Sequence, residues 1–338
     1  MSKLPGAHDK LSPEFELIAR LSEGIQVSRR TILGIGDDCA IVSRPSGPAL
    51  LTIDSLVENV HFDLRWCPPD ALGARALAVN LSDIAAMGGR PTAAVVNLAV
   101  RDGISTRTLE RIYTGLRKAA REASTDIVGG NITRSRELSI TIAVLGEAGG
   151  AVLRRDAARP GDEIFVTGML GDAALGWRIL AGKLKAKGNA KKDRAARKYL
   201  VERFIRPSAR LYAGQRLAAL RPVPAAIDVS DGLMQDLGHI LERSGVGAEI
   251  DASRIPISPA YCALMGGDLA HALTGGEDYE LIFCARPGHS ESELSRRLRV
   301  AVRLIGTIVR GKQVKLIGAS APIHAGWDHC DHAARYKQ

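Results

Sequence analysis

Apolar positions recur at helical spacing in some stretches and alternate in others. Over 13–21, Phe15, Leu17, Ile18 and Leu21 form a short helical stripe. Leu72, Ala76 and Val79 predict a longer helix, capped by Asp70 and stopped by Gly88-Gly89. On it, Asn80 and Asp83 lie three apart and share a face. Ser105 caps a helix with Leu109, Ile112 and Leu116 inward; Tyr113 lies beside that stripe, where packing is its default role. Further stripes follow at Ala174, Leu175 and Ile179, over 209–220, and at Leu233, Leu237, Ile240 and Leu241, the last ended by Gly245. Strands are predicted over 50–60, 92–100, 138–145, 163–167, 225–229, 280–285 and 302–309. Ile127-Val128 is a strand edge followed by the paired glycines Gly129-Gly130. Strands and helices are mixed without strict βαβ alternation, so the fold class is α+β or mixed α/β. Gly149-Gly150 divides an N-terminal domain, 1–148, from a C-terminal α/β domain, 149–338.

Composition adds little to that picture. At 46% apolar and 25% charged over 338 residues, the chain is an ordinary globular one of one large or two smaller domains. Its longest apolar stretch, 93–100, is broken by Asn97 and is far short of a membrane span. The start, Met1-Ser2-Lys3-Leu4-Pro5-Gly6, lacks the apolar segment of a secretion signal. Cys39, Cys67, Cys262, Cys284 and Cys330 are scattered and never C-x-x-C, so neither a zinc site nor a disulfide framework is expected. A cytoplasmic protein is the expectation. The net charge of +9 is concentrated. Over 183–198, eight basic residues face one acid, Asp193, with Gly182, Gly188 and Asn189 nearby and no aromatic until Tyr199. A solvated, mobile loop is expected there, ahead of a funnel for anionic substrates.

The chemistry is carried by aspartates next to glycine turns. Gly34-Ile35-Gly36-Asp37-Asp38 is followed by Asp54, then by Asp83 and by Asp228-Val229-Ser230-Asp231. Two carboxylates 4 Å apart cost roughly 4 kcal/mol at an effective dielectric of about 20. Cations relieve that cost, and Mg²⁺ suits a few carboxylates with waters and phosphates. Each Asp taken alone could equally be a cap or turn residue. Thr274-Gly275-Gly276-Glu277-Asp278-Tyr279 again sets acids at a glycine turn. No G-x-x-x-x-G-K-[ST] loop, no kinase H-R-D or D-F-G set and no G-x-S-x-G elbow occurs. Carboxylates holding Mg²⁺ against a polyphosphate would serve phosphoryl transfer, which needs mainly positioning and charge neutralisation.

These motifs together resemble the thiamine-monophosphate kinase family of the aminoimidazole-ribotide-synthetase-like superfamily. The resemblance runs through GIGDDCA (34–40), D-x-L-V-x-x-x-H-F (54–62), ALAVNLSDIAAMG (76–88), VGGN (128–131), R-x-x-A-x-P-G-D (155–162), RPSARL (206–211), IDVSDGL (227–233) and GGEDYEL (275–281). It implies direct transfer of the ATP γ-phosphoryl group to thiamine phosphate, with no side chain acting as nucleophile or base. It also implies a strand-rich N-terminal domain, an α/β C-terminal domain and a homodimer formed through the N-terminal sheets. By resemblance, several Mg²⁺ ions fall to Asp38, Thr52, Asp54, Asp83 and Asp228, with Asp231 at a further ion. ATP falls to Tyr113, Gly130, Asn131, Arg155 and Ser230, and thiamine phosphate to His61, Glu277 and Trp327. Arg155 offers a fork of donors to phosphate, Trp327 a flat face to a cationic ring, and Glu277 an acceptor for an exocyclic amine. The chain departs from the family pattern at Ile53, which offers only its backbone carbonyl, and at Asn131, which offers a neutral oxygen.

The nearest rival is a synthetase of the same superfamily acting through an acyl or iminophosphate; the wording of GGEDYEL and IDVSDGL argues for the kinase. A non-catalytic anion- or nucleic-acid-binding protein led by the basic segment is the rival of another class. Salt-sensitive RNA binding without ATP turnover would distinguish it. No nucleic-acid or membrane partner is expected.

Overall fold

The computed structural model describes residues 12–184 and 190–318, in two units that are discontinuous in sequence. The first takes in residues up to 45, 51–80 and 91–147; the second takes in 46–50, 81–90 and those from 148 on.

In the first unit, α1 (Glu14–Ser22) precedes the short strands β1 (Thr31–Leu33) and β2 (Ile41–Val42), which pair antiparallel. Then come β3 (Ala49–Val57), α2 (Pro69–Ala86), whose residues from 81 on count with the second unit, β4 (Arg90–Val100), α3 (Thr106–Glu122), β5 (Asp126–Arg134) and β6 (Ser139–Glu147). The four long strands form one sheet in the order β3-β6-β4-β5. β4 and β5 are parallel, which requires a crossover, and α3 supplies it. Ser105 caps α3 by accepting the Thr108 N–H at 3.2 Å, and Leu109, Ile112, Tyr113, Leu116 and Ala120 are buried along it. α2 and α3 touch backbone to backbone. A Cβ on Gly73 would lie 1.8 Å from the Ile112 carbonyl oxygen, and one on Gly115 1.7 Å from that of Asp70. Asp70 is not the cap of α2: the helix already starts at Pro69, and the Asp70 carboxylate pairs with Arg111 at 3.0 Å. The strand does not end before the paired glycines 129–130 either. They lie inside β5, where the ladder shifts register between Ala94 and Val95 opposite Gly129. One face of the sheet buries Ile140, Ile142 and Val144; the alternate residues Leu51, Ile53 and Val95 are exposed.

The second unit contains β7 (Glu163–Thr167), α4 (Asp172–Leu180), α5 (Ala190–Ile205), α6 (Leu211–Ala218), β8 (Ala225–Asp228), α7 (Leu233–Ser244) and β9 (Gly247–Asp251). α8 (Pro259–Met265), α9 (Ala270–Thr274), β10 (Leu281–Ala285), α10 (Glu291–Leu298), β11 (Val302–Val309) and β12 (Val314–Ile317) complete it. Six strands form one sheet in the order β12-β9-β11-β7-β10-β8, antiparallel except for β12 with β9. Alternation along each strand divides the core in two. Ile164, Val166, Ile282 and Cys284 pack on one side with α7 residues such as Leu237 and Ile240. Phe165, Leu281 and Phe283 pack on the other with Leu217 of α6 and Leu294 of α10, and the rings of Phe165 and Phe283 stack at 5.2 Å. A sheet buried on both faces explains why these strands read as short unbroken apolar runs.

The basic segment is not a loop throughout. Its residues 190–198 are the first half of α5. Asp193, Ala196, Leu200 and Phe204 are buried at helical spacing, while Arg194 and Lys198 are exposed. Leu200 lies against α4 so closely that a Cβ on Gly176 would meet its carbonyl oxygen at 2.1 Å. Arg194 and Lys198 thus lie on the solvated face of a docked helix. The five residues at 185–189 lie outside the described ones.

Candidate functional site

The acidic cluster of the second unit gathers where β8 ends. Asp228 is its last residue, 3% exposed, and accepts the Ser82 hydroxyl at 2.7 Å. Burial, and then the charge of Asp83, push the Asp228 carboxyl up to about 7; Ser82 and the Arg155 guanidinium draw it the other way. Asp83, Asp228 and Arg155 are therefore near neighbours in this unit, with Asp83 half-buried and Arg155 exposed. Beyond Asp228 the chain turns through Ser230, Asp231 and Gly232 into α7. Asp236, buried on α7, is pushed up to about 8 by burial and then by the charges of Asp228 and Asp231. Asp83 thus acts on Asp228, and Asp228 and Asp231 act on Asp236.

Residues 276–280 run beside this turn. The Glu277 N–H donates to the Ser230 carbonyl and the Tyr279 N–H to that of Val229, both at 2.8 Å. Glu277 and Tyr279 have φ of 71° and 51°, a conformation that side chains rarely adopt. The Tyr279 hydroxyl donates to Glu277 at 3.0 Å. Asp278, buried, accepts the N–H groups of Gly171 (2.5 Å) and Ala173 (3.1 Å) and so caps α4. Glu280, fully buried, takes the Thr167 hydroxyl at 2.8 Å and the guanidiniums of Arg203 and Arg210. Asp278 emerges from the sequence only as an acid at a glycine turn, and neither Asp236 nor Glu280 is singled out by it. Asp236 had one readable sign: it occupies an i+3 place in the stripe of Leu233, Leu237 and Ile240.

In the first unit, Thr52 and Asp54 alternate with Ile53 on β3, Thr52 half-buried and Asp54 exposed. Asp38 is exposed in the turn after β1 and donates its N–H to the Asp37 carboxylate at 2.9 Å. Asn131 lies on β5 and donates from its amide to that of Asn97 at 2.9 Å. Gly130 beside it has no room for a side chain, since a Cβ would lie 2.2 Å from the Val96 carbonyl oxygen. Tyr113 is 8% exposed within the α3 stripe, and burial pushes its phenol up to about 12. His61 is half-buried and its Nδ1 accepts the Val57 N–H at 3.1 Å. Trp327 lies outside the described residues. Among the described residues, no three His, Cys, Asp or Glu side chains gather at metal-binding spacing. The donor set is one of carboxylate pairs. That fits Mg²⁺, which takes one or two carboxylates and completes its shell with water and substrate phosphate.

Comparison with known proteins covers nearly the whole chain. The family model AIR synthase related protein, N-terminal domain, matches residues 36–148, and its C-terminal-domain counterpart matches 159–319. A thiamine-monophosphate kinase of Salmonella typhimurium is 37% identical over 336 residues, 95% of this chain and 98% of that one. The crystal structure of a thiamine-monophosphate kinase from Stenotrophomonas maltophilia has a TM-score of 0.77 at 37% identity, covering 91% of this chain and 96% of that one. A solved structure of AaThiL complexed with AMPPCP and TMP has a TM-score of 0.73 at 34% identity, covering 94% and 96%.

Proposed function

The chain belongs to the thiamine-monophosphate kinase family, an enzyme that phosphorylates thiamine monophosphate to the diphosphate with ATP, and from that premise we propose how its residues carry the reaction. The observation that supports the proposal most is the pair Asp83–Asp228. A buried carboxylate beside a second one is stable only if a proton or a cation shares the place. We assign Mg²⁺ to Asp83 and Asp228, with Asp231 at a further ion and Asp38, Thr52 and Asp54 at positions on the first unit. When bound, the ions would neutralise the β- and γ-phosphate oxygens of ATP and hold donor and acceptor in line.

Arg155 has a planar fork of donors suited to phosphate. Ser230 offers a hydroxyl to the nucleotide beside the carboxylates. We assign Tyr113, Gly130 and Asn131 to the nucleotide side of the first unit, where Gly130 and Asn131 are exposed. His61, Glu277 and Trp327 meet the thiamine end of the acceptor. The nucleophile is a phosphate oxygen, already anionic near neutral pH, so no side chain has to remove a proton. Transfer is then direct, by positioning and charge neutralisation, with no phosphorylated residue.

We also assign the open face of the four-stranded sheet to a second copy of the chain. Leu51 is 78% exposed, Ile53 64% and Val95 43%, an apolar set that alternates with the buried face. No disulfide joins Cys39, Cys67, Cys262 and Cys284, and no described helix is long and apolar enough to cross a membrane. The unbridged cysteines suit a reducing, cytoplasmic setting.

Steady-state turnover of ATP with thiamine monophosphate tests the metal assignment. Asp83→Asn and Asp228→Asn should each lower kcat by about two orders of magnitude, the scale of removing one electrostatic stabiliser of a transition state. Circular dichroism should show the fold intact. Near-normal turnover in both variants at limiting Mg²⁺ would reject the assignment.

A further inference from the structure

One side chain holds the turn between β8 and α7. Asp236 lies one turn into α7, 1% exposed, and a single carboxylate oxygen, Oδ2, accepts three backbone N–H groups. They belong to Ser230 (3.1 Å), Asp231 (3.0 Å) and Gly232 (3.0 Å). The other side of the turn is fixed too. The Ser230 carbonyl accepts the Glu277 N–H at 2.8 Å, and a Cβ on Gly276 would lie 2.2 Å from that same oxygen. Gly232, at φ 124°, abuts the Thr274 carbonyl, which a Cβ would meet at 2.8 Å. The turn is clamped between its own helix and the 274–277 segment.

A glycine turn opening a helix ordinarily offers N–H groups to phosphate. Here those of 230–232 are taken by an internal carboxylate. We infer that Asp236 is a positioning residue for phosphoryl transfer: it fixes the Ser230–Gly232 turn, and leaves recognition by that turn to the Ser230 and Asp231 side chains. The same bonds couple the nucleotide side to the acceptor side, because Ser230 and Glu277 share a backbone hydrogen bond. A loosened turn therefore misplaces the hydroxyl and carboxylate without removing either. The inference rests on the proposed reading that Ser230 and Asp231 meet ATP and its cations.

Two readouts test it. The first is amide hydrogen exchange in the nucleotide-free protein. N–H groups at 230–232 should be protected in the wild type, and exposed-loop exchange rates there would overturn the inference outright. The second is kinetics of Asp236→Glu, which keeps the charge but moves the acceptor by one carbon. It should speed exchange at 230–232, and should raise the KM for ATP and the half-saturating Mg²⁺ by about tenfold. The KM for thiamine monophosphate should change less. Asp236→Asn, which keeps an acceptor oxygen in place, should restore both readouts toward wild type. A merely structural role would lower Tm without moving KM. Unchanged KM for ATP in Asp236→Glu, with exchange accelerated, would sink the positioning role. Ser230→Ala and Asp231→Asn separate the two levels. If neither moves the KM for ATP, the site reading itself fails; if they do and Asp236→Glu does not, only this inference fails.

Discussion

Glu277, Asp278, Tyr279 and Glu280 are consecutive, yet their side chains go three ways: Tyr279 donates to Glu277, Asp278 caps α4 and Glu280 holds two arginines. Positive φ at 277 and 279 takes the segment out of strand geometry, so alternation does not sort its side chains by face. The resemblance pointed to Glu277. Nothing in the spacing separates it from Asp278, which caps α4, or from Glu280, which holds two arginines. Asp278 has a consequence for pH. Burial pushes its carboxyl up to about 8, against the pull of the Gly171 and Ala173 N–H groups and of Arg203. In the unfolded chain the group titrates at its ordinary value of 3.8. Between those values the folded state keeps a proton that the unfolded state has lost, so this group's contribution to stability falls as pH rises. Asp278→Asn abolishes that titration. The unfolding free energy, measured by denaturant at a series of pH values, should then decline less steeply between about pH 5 and pH 8, by up to about 1.4 kcal/mol per pH unit. Parallel pH profiles for variant and wild type would show that Asp278 does not hold the proton.

At the scale of elements, the long stripes and the alternating runs were legible. α3 begins after Ser105, α7 ends at Gly245, and β7, β8, β10 and β11 occupy the places their apolar runs predict. The failures have physical causes. β9 is Gly-Ala-Glu-Ile-Asp, whose pairing with β11 and β12 supplies what its own composition does not. α8, α9 and α10 are five to eight residues long, too short for a stripe to repeat. Gly129-Gly130 reads as lying past a strand edge, and pairing with β4 carries the strand through it. α5 was masked by charge, since a net count over the segment hides a stripe in which only every third or fourth residue faces inward. Its docking makes a clear prediction. Leu200 is fully buried against α4, so Leu200→Ala should cost about 2–5 kcal/mol, the range for emptying a leucine site in a core. Thermal or denaturant unfolding reads this directly, and a change under about 0.5 kcal/mol, typical of an exposed position, would return the segment to a loop.

For the molecule as a whole, the proposed metal-binding residues are divided by sequence: Asp38, Thr52 and Asp54 fall in one unit, Asp83, Asp228 and Asp231 in the other. The aspartates were visible in the sequence as separate groups, at turns for Asp38 and Asp228–Asp231, in a strand for Asp54 and on a helix for Asp83. What each pairs with was not, because Ser82 and Asp228 are brought together across 146 positions. The open sheet face belongs to this scale as well. If a second copy covers it, Ile53→Asp places a charge in an apolar interface, and sedimentation should show a dimer becoming a monomer at micromolar concentration. An unchanged sedimentation coefficient would remove that face from the assembly. The central claim is direct transfer from ATP to the acceptor phosphate without a covalent enzyme intermediate. A single-turnover reaction with γ-labelled ATP, thiamine monophosphate and Mg²⁺, quenched at intervals, tests it most directly. The account predicts that label leaves ATP and enters thiamine diphosphate at one and the same rate, with none on the protein. Label accumulating on the protein, or released as inorganic phosphate in place of thiamine diphosphate, would contradict it.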